Sequence, residues 1–377
     1  MTMKVLQMIP EMESGGVERG TLELARHLGE LGHESLVVSG GGKMVKQLET
    51  CGTRHITMPV GRKRLSSLLL VSKLRRLFIE EKPDILHLRS RVPAWIAWLA
   101  WRGMDPKMRP RLVTTVHGFN SVNRYSEIMT CGERVICVSE SIRDHVLKHY
   151  PKASPDKLRV IHRGIDPADY PHGYEPPNEW KERFFHEFPE ARGKHLLTLP
   201  GRITRLKGHE DFAKILKALS SDEQLHAVIA GGAHPKKAAY LDEIRALFAA
   251  EGLAERVTFT GGRSDLKEIL AISSVVLSLT TQPESFGRTT LEALGLGIPV
   301  AGYDHGGVGE QLAMLYPVGR IPANDPAAAV PVVKALLENP PPVPTEHPFT
   351  LRAMLEGTMG VYEDLLSQGG PAPSVCG

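Results

Sequence analysis

The 377-residue chain has little cysteine: Cys51, Cys131, Cys137 and Cys376, with no C-x-x-C pair among them. That spacing excludes a zinc ribbon and a dense disulfide framework, and the four are read as reduced thiols of a cytosolic protein. No apolar run reaches the roughly 18 residues that a membrane-spanning helix needs. The longest, "PAWIAWLAW" from Pro93 to Trp101, stands between Arg91 and Arg102 and is read as a buried helix. The N-terminal apolar stretch is too short for a signal peptide and meets Glu11 almost at once. There is no D-x-D to suggest a carboxylate-held metal. No G-x-G-x-x-G follows the first apolar run, which argues against a dinucleotide-dependent dehydrogenase.

What is present is ordinary in composition and uneven in arrangement. Hydrophobic residues make up 42% and charged residues 24%, as in a soluble globular protein, and the length favours two domains. The net charge is only +3, yet residues 1–165 hold 27 basic against 16 acidic side chains and residues 166–377 hold 19 against 27. Most of the surplus lies in 51–111, with 14 basic and 4 acidic. Such a dipolar chain suggests that one half faces an anionic partner, although solvated helix faces account for any single pair of arginines.

Short β-rich runs alternate with helical stretches throughout. "MKVLQMIP", "ESLVVSG", "PDILHLR", "RLVTTVHG" and "RVICVSES" are the runs of the first half, and Gly32 ends the first helix. "HLLTLPGR", "LHAVIAGG", "RVTFTGG", "VVLSLTT" and "IPVAGY" repeat the rhythm in the second. Nearly continuous apolar strands between helices mark parallel sheets covered on both faces. The proline-rich segment from Val160 to Trp180 breaks the pattern and is read as a linker. The expected division is a domain over 1–165, a second over 166–346, a last helix within 347–366 and a mobile tail over 367–377.

Ligands of open parallel sheets bind at the carboxyl ends of the strands, and in a two-domain chain that points to the cleft between them. After "HLLTLP" come Gly201, Arg202 and Lys207, two cations suited to neutralising a departing diphosphate. Loops also carry such cations for solubility. In "PESFGRTTLEALGLGIPVAGYDHGG", Glu284 and Glu292 bracket Gly287 and the start of a helix. Glycine and free helical amides favour an anion there, while ionised carboxylates accept hydrogen bonds from sugar hydroxyls. A capping Glu284 with Glu292 on a solvated face explains the same spacing. Gly15-Gly16 precedes the first helix and is equally consistent with a plain turn.

Taken together, the Gly15-Gly16 loop, His117 of "TTVHGF", "VIHRGID", "GRITRLKG", "AGG" and the E-x7-E element resemble the retaining GT-B glycosyltransferases of family 4, over nearly the whole chain. The resemblance implies an α/β fold of two Rossmann-like doubly wound domains facing across a cleft, with a C-terminal helix crossing back to the first. It also implies roles. Arg202 and Lys207 grip the donor diphosphate, Glu284 holds the transferred sugar and Glu292 the ribose. Amides around Phe286, Gly287, Arg288 and Thr289 meet the distal phosphate or sugar, and Gly15 and Gly16 close over the phosphates. His117 positions the sugar, and Arg263 lies near the base, contacted mostly through backbone. No metal or other cofactor is expected, and UDP is the favoured nucleotide with GDP second.

The chain departs from the family at His162 and Arg163 of the linker and at Arg288 and Thr290 of the helix, which touches the choice of sugar. Arg89 and Arg91, at a strand end, suit an acceptor phosphate or carboxylate, or an ion pair with a nearby acid. The stretch "GRKRLSSLLLVSKLRRLF" surrounds leucines with cations and suits an anionic membrane surface, although packing of the leucines into the core explains it as well. The expected reaction is sugar transfer from a nucleotide diphosphate to a glycan hydroxyl of lipopolysaccharide core or another cell-surface glycan, lipid-linked or phosphorylated, in the cytoplasm at the inner membrane face. No nucleic-acid partner is expected. A nucleotide-sugar epimerase and a non-catalytic nucleotide-sugar-binding module are the rival readings.

Overall fold

The computed structural model describes residues 2–13, 15–62, 69–233 and 238–369. Among them are thirteen strands: β1 (Lys4–Met8), β2 (Glu34–Ser39), β3 (Arg54–Thr57), β4 (Ile85–Leu88), β5 (Arg111–Val116), β6 (Arg134–Cys137), β7 (Leu158–Val160), β8 (His195–Pro200), β9 (Leu225–Ala230), β10 (Val257–Phe259), β11 (Val275–Ser278), β12 (Val300–Tyr303) and β13 (Arg320–Ile321). They form two sheets. One has the order β3-β2-β1-β4-β5-β6-β7 and the other β10-β9-β8-β11-β12-β13, and every pairing is parallel. All residues of β4, β5, β9 and β12 are buried, as parallel strands covered on both faces must be. The sequence expectation of two parallel α/β sheets therefore holds.

Each sheet leaves its centre in two directions. The order reverses between β1 and β4 in the first sheet and between β8 and β11 in the second. At such a switch point neighbouring connections run to opposite faces and leave a crevice at the strands' carboxyl ends. The loops after β1, β4, β8 and β11 are thus the places where ligand chemistry is to be sought.

The chain forms two compact units, one comprising Met1–His162 with Arg352–Gly377 and the other Arg163–Leu351. The first has its own core, with Phe78, Trp98, Trp101 and Ile142 packed about the sheet. The second gathers Phe212, Phe248, Leu291 and Tyr303. In the first unit the helix Gly16–Glu30 buries Leu22, Leu24, Ala25 and Leu28. It ends where Gly32 turns at φ 75°, with its amide on Gly29 O. The helix Arg91–Arg102 buries Pro93, Ala94, Ile96, Ala97, Trp98, Ala100 and Trp101, the buried helix read from the sequence. Trp101 Nε1 donates to Pro110 O at 2.8 Å, so the indole's one polar atom is satisfied inside the core.

The last helix, Leu351–Ser367, returns to the first unit. Its Tyr362 hydroxyl lies 2.6 Å from His87 Nδ1, whose Nε2 meets Thr115 Oγ1 at 2.6 Å, and Arg134 pairs with Asp364 at 2.7 Å. The helix Leu69–Glu81 buries Leu70, Leu74 and Phe78 and leaves Lys73 and Arg76 exposed, whereas Lys63 and Arg64 lie outside the described residues. Of the tail expected from 367, positions 370–377 also lie outside them. Cys131 is disulfide-bonded, which corrects its reading as a reduced thiol, whereas Cys51 and Cys137 are free and Cys376 lies outside the described residues. No described helix is long and apolar enough to cross a membrane.

Candidate active site

In the second unit the β8 and β11 loops meet. Lys207, in the turn after β8, hydrogen-bonds through Nζ to Glu284 Oε1, and the same oxygen accepts from Thr280 Oγ1 at 2.8 Å. Thr280 follows β11, and its carbonyl accepts from His305 Nε2 at 2.7 Å, which places the proton on that nitrogen. The Glu284 carbonyl accepts from Gly307 N at 2.8 Å. Glu284 is thus held at side chain and backbone, with one carboxylate oxygen engaged by a cation and a hydroxyl.

The loop from Glu284 to Gly287 leads into the helix Arg288–Gly295. Gly287 is the N-cap at φ 88°, a left-handed conformation that a side chain disfavours, and a Cβ there would fall 2.5 Å from Val308. Gly307 is needed for close approach: its Cβ would lie 2.4 Å from Phe286 Cα. Phe286 is buried against Phe349 with ring centroids 5.7 Å apart, so the loop is anchored by an aromatic side chain. The first amides of the helix have no intrahelical acceptor, and they stand at the carboxyl end of the sheet with Arg288 and Thr289. Glu292, one turn further, is buried at 7% exposure and lies 3.7 Å from Arg288 Nε. Arg202 is exposed after β8. An ammonium, a carboxylate and a helix N-terminus at one switch point suit a ligand with a phosphate at one end and hydroxyls at the other.

The histidine that follows Lys207 has a different part. His209 is 1% exposed, and burial lowers its pKa to about 4, so it is neutral near pH 7. Arg263 makes two hydrogen bonds to Asp265, at 2.8 Å each, and one to Glu187 at 2.9 Å, and packs against Phe184 and Phe188. These carboxylates raise its pKa further, and its guanidinium is committed inside its own unit.

In the first unit a pocket of about 190 Å³ opens at the β1/β4 switch point, lined by Ile9, Glu18, Arg89, Arg91, His117 and Asn120 among others. Arg89 and Arg91 follow β4, and His117 follows β5. Gly15 is the N-cap of the helix that Gly16 begins, beside Val17 and Glu18 of the pocket wall. Arg91 Nη1 donates to Ser126 Oγ at 3.1 Å, and its guanidinium lies 5.5 Å from the Tyr125 ring centroid. Arg89 Nη1 donates to Gln7 Oε1 at 2.9 Å.

Sequence reasoning passed over Gln7, Thr280 and His305. Gln7 did carry a signal, a lone amide inside the apolar run of β1. Thr280 was legible only as part of "VVLSLTT".

Two parallel α/β units in one chain, each with its switch-point loops, are the architecture of the GT-B fold. The chain belongs to glycosyltransferase family 4: residues 14–169 match the model "Glycosyltransferase Family 4" and residues 180–350 match "Glycosyl transferases group 1". It is accordingly a retaining transferase that uses a nucleotide-sugar donor. It is similar to the crystal structure of a glycosyltransferase from Rickettsia africae, at 26% identity and TM-score 0.81, covering 98% of this chain and 100% of that one. A structure of HepE from Anabaena in complex with UDP and glucose shares the fold at 18% identity and TM-score 0.73, covering 97% and 98%. The N-acetyl-alpha-D-glucosaminyl L-malate synthase of Bacillus anthracis is 24% identical over 80% of this chain and 78% of its own.

Proposed function

We propose that the protein transfers a sugar from a UDP-sugar to a hydroxyl of a glycan acceptor, in lipopolysaccharide core or another cell-surface glycan. The observation that carries this reading is the meeting of Lys207, Thr280 and Glu284 at the β8/β11 switch point. In it, Lys207 and Arg202 take the diphosphate and Glu284 the hydroxyls of the transferred sugar. Glu292 takes the ribose, and the backbone around Phe286, Gly287, Arg288 and Thr289 lies along the distal phosphate. Arg263 contributes backbone only, since its side chain is engaged. Gly15, Gly16 and His117 act from the first unit on the phosphates and sugar, and Arg89 and Arg91 belong to the acceptor.

UDP is favoured because the similar HepE structure holds UDP. The bond from the anomeric carbon to the β-phosphate oxygen breaks as the acceptor oxygen bonds to the same face of that carbon. The leaving phosphate takes the acceptor's proton, and Lys207 and Arg202 stabilise its charge without a metal. The basic surplus over residues 51–111 supports an acceptor at an anionic membrane surface, and vesicle binding that fades with salt is its signature. A small anionic acceptor is the second reading, favoured by the modest pocket at Arg89 and by the relative named for L-malate.

Thermal-shift measurements with UDP-, GDP- and ADP-sugars, with and without EDTA, test the donor side. The expected result is a selective rise with one UDP-sugar that survives EDTA and vanishes in Lys207→Ala. A rise that Lys207→Ala retains, or none with any donor, would overturn the assignment.

A further inference from the structure

The pocket at the β1/β4 switch point contains a buried arginine that forms no ion pair with any described carboxylate. Arg89 is 4% exposed, and no carboxylate among the described residues pairs with it. Its one hydrogen bond is from Nη1 to Gln7 Oε1, and its Nε is buried without an acceptor. Glu18, on the wall of the same pocket, and Glu23 favour its charged form without an ion pair to it, and Glu23 is paired with Arg19 at 3.2 Å. Burial draws the Arg89 pKa down to about 10, the mark of a guanidinium deprived of solvent without full compensation.

The surroundings are arranged to keep it so. Gln7 is fully buried in β1, and its Nε2 donates to Thr21 O at 3.3 Å. That orients the amide with its oxygen toward Arg89 and leaves a neutral partner where a glutamate would have given a charged one. Arg91, the other cation of the wall, is held by Ser126 and the Tyr125 ring. Arg89 is the buried member of the pair, with its Nε unsatisfied, next to Ser90, His117 and Asn120 in the same pocket. A buried charge left unpaired is strongly destabilising, and proteins tolerate it where a ligand supplies the counter-charge.

We propose that this pocket receives one anionic group of the acceptor, a carboxylate or a phosphate monoester, on the Arg89 guanidinium, with Gln7 as the positioning residue that aims it. The assignment to the acceptor rests on the reading of the first unit given above; the anion site itself does not.

The test is a thermal-shift titration of the full chain at constant ionic strength with inorganic phosphate, L-malate and neutral myo-inositol. Phosphate or malate should raise the melting temperature of the wild type, and inositol should not. A response to phosphate alone assigns a phosphate ester, to malate alone a carboxylate, and to both the shared chemistry. Arg89→Met should abolish the response without lowering the anion-free melting temperature, because it removes an uncompensated charge. Gln7→Glu should supply an internal counter-charge, raise the anion-free melting temperature and weaken the apparent anion affinity at least tenfold. It carries the test if Arg89→Met does not fold. Lys207→Ala should keep the response, which separates this site from the donor loop, and Arg89→Met should keep the UDP-sugar response. The proposal fails if neither anion shifts the wild type, or if the shift persists in Gln7→Glu and Arg89→Met but disappears in Lys207→Ala.

Discussion

Replacing Glu284 by glutamine separates two things that the carboxylate does at once. Lys207 is bonded to Glu284, so on the proposed reading a nucleotide diphosphate must draw the ammonium away before using it. The side chains of Lys207 and Glu284 are 28% and 19% exposed. Fully exposed pairs contribute ~0–1 kcal/mol. Breaking fully buried ones by removing a partner costs ~3–5 kcal/mol. A pair between these limits has a strength of roughly 1–2 kcal/mol, or ~5–30-fold in a binding constant. Glu284→Gln keeps an oxygen for the Thr280 hydroxyl but gives up the charge, leaving Lys207 to the phosphates. UDP without a sugar should then bind Glu284→Gln more tightly than wild type, up to the ~5–30-fold set by the competing pair. Turnover of the intact UDP-sugar should fall, since the sugar hydroxyls lose an anionic acceptor. Isothermal titration with UDP on wild type, Glu284→Gln and Lys207→Ala reads both effects. Weaker UDP binding by Glu284→Gln than by wild type would refute the competition argument, because the carboxylate would then be helping to hold the nucleotide.

Two further outcomes concern the scaffold. The pKa of about 4 for His209 lies below its ordinary 6.5, so the unfolded chain takes up this proton first as pH falls. The contribution is complete above pH 6.5 and is lost progressively toward pH 4, at up to ~1.4 kcal/mol per unit, or about 3 kcal/mol across the window. Urea titrations at several pH values should show this slope as the difference between wild type and His209→Gln; parallel pH profiles would count against it. Tyr362→Phe removes the buried hydrogen bond to His87 and should lower the stability of the first unit by ~1–2 kcal/mol, visible as an earlier urea midpoint. An unchanged midpoint would mean that the contact between the last helix and β4 contributes only through packing.

Much of the architecture was legible in the chain because its signals are local. Runs such as "ILHL" and "LHAVIA" are apolar at every position, and only strands covered on both faces need that. Trp98 and Trp101 in an uncharged helix between two arginines could hardly face water. The placing of Glu284 and Glu292 about Gly287 was visible too, since a positive-φ cap before a helix leaves its mark within ten residues. What local signals leave out is the partner of each charged side chain: Arg263 is bonded to Asp265 and Glu187, the latter 76 residues away in the chain.

Strand order is what the chain does not display. Alternating runs of strand and helix specify parallel sheets, but many orders satisfy the same alternation, and the favoured one depends on the free energy of the whole packed unit. Only the structure puts β4 beside β1 and β11 beside β8. With that order Arg89 meets Gln7 across 82 residues and Lys207 meets Glu284 across 77. The sequence by itself determined which residues have the chemistry and the period that buries each strand. The tertiary structure decided which of them share a crevice, because contacts between residues far apart in the chain follow from sheet topology and leave no periodic trace in either segment.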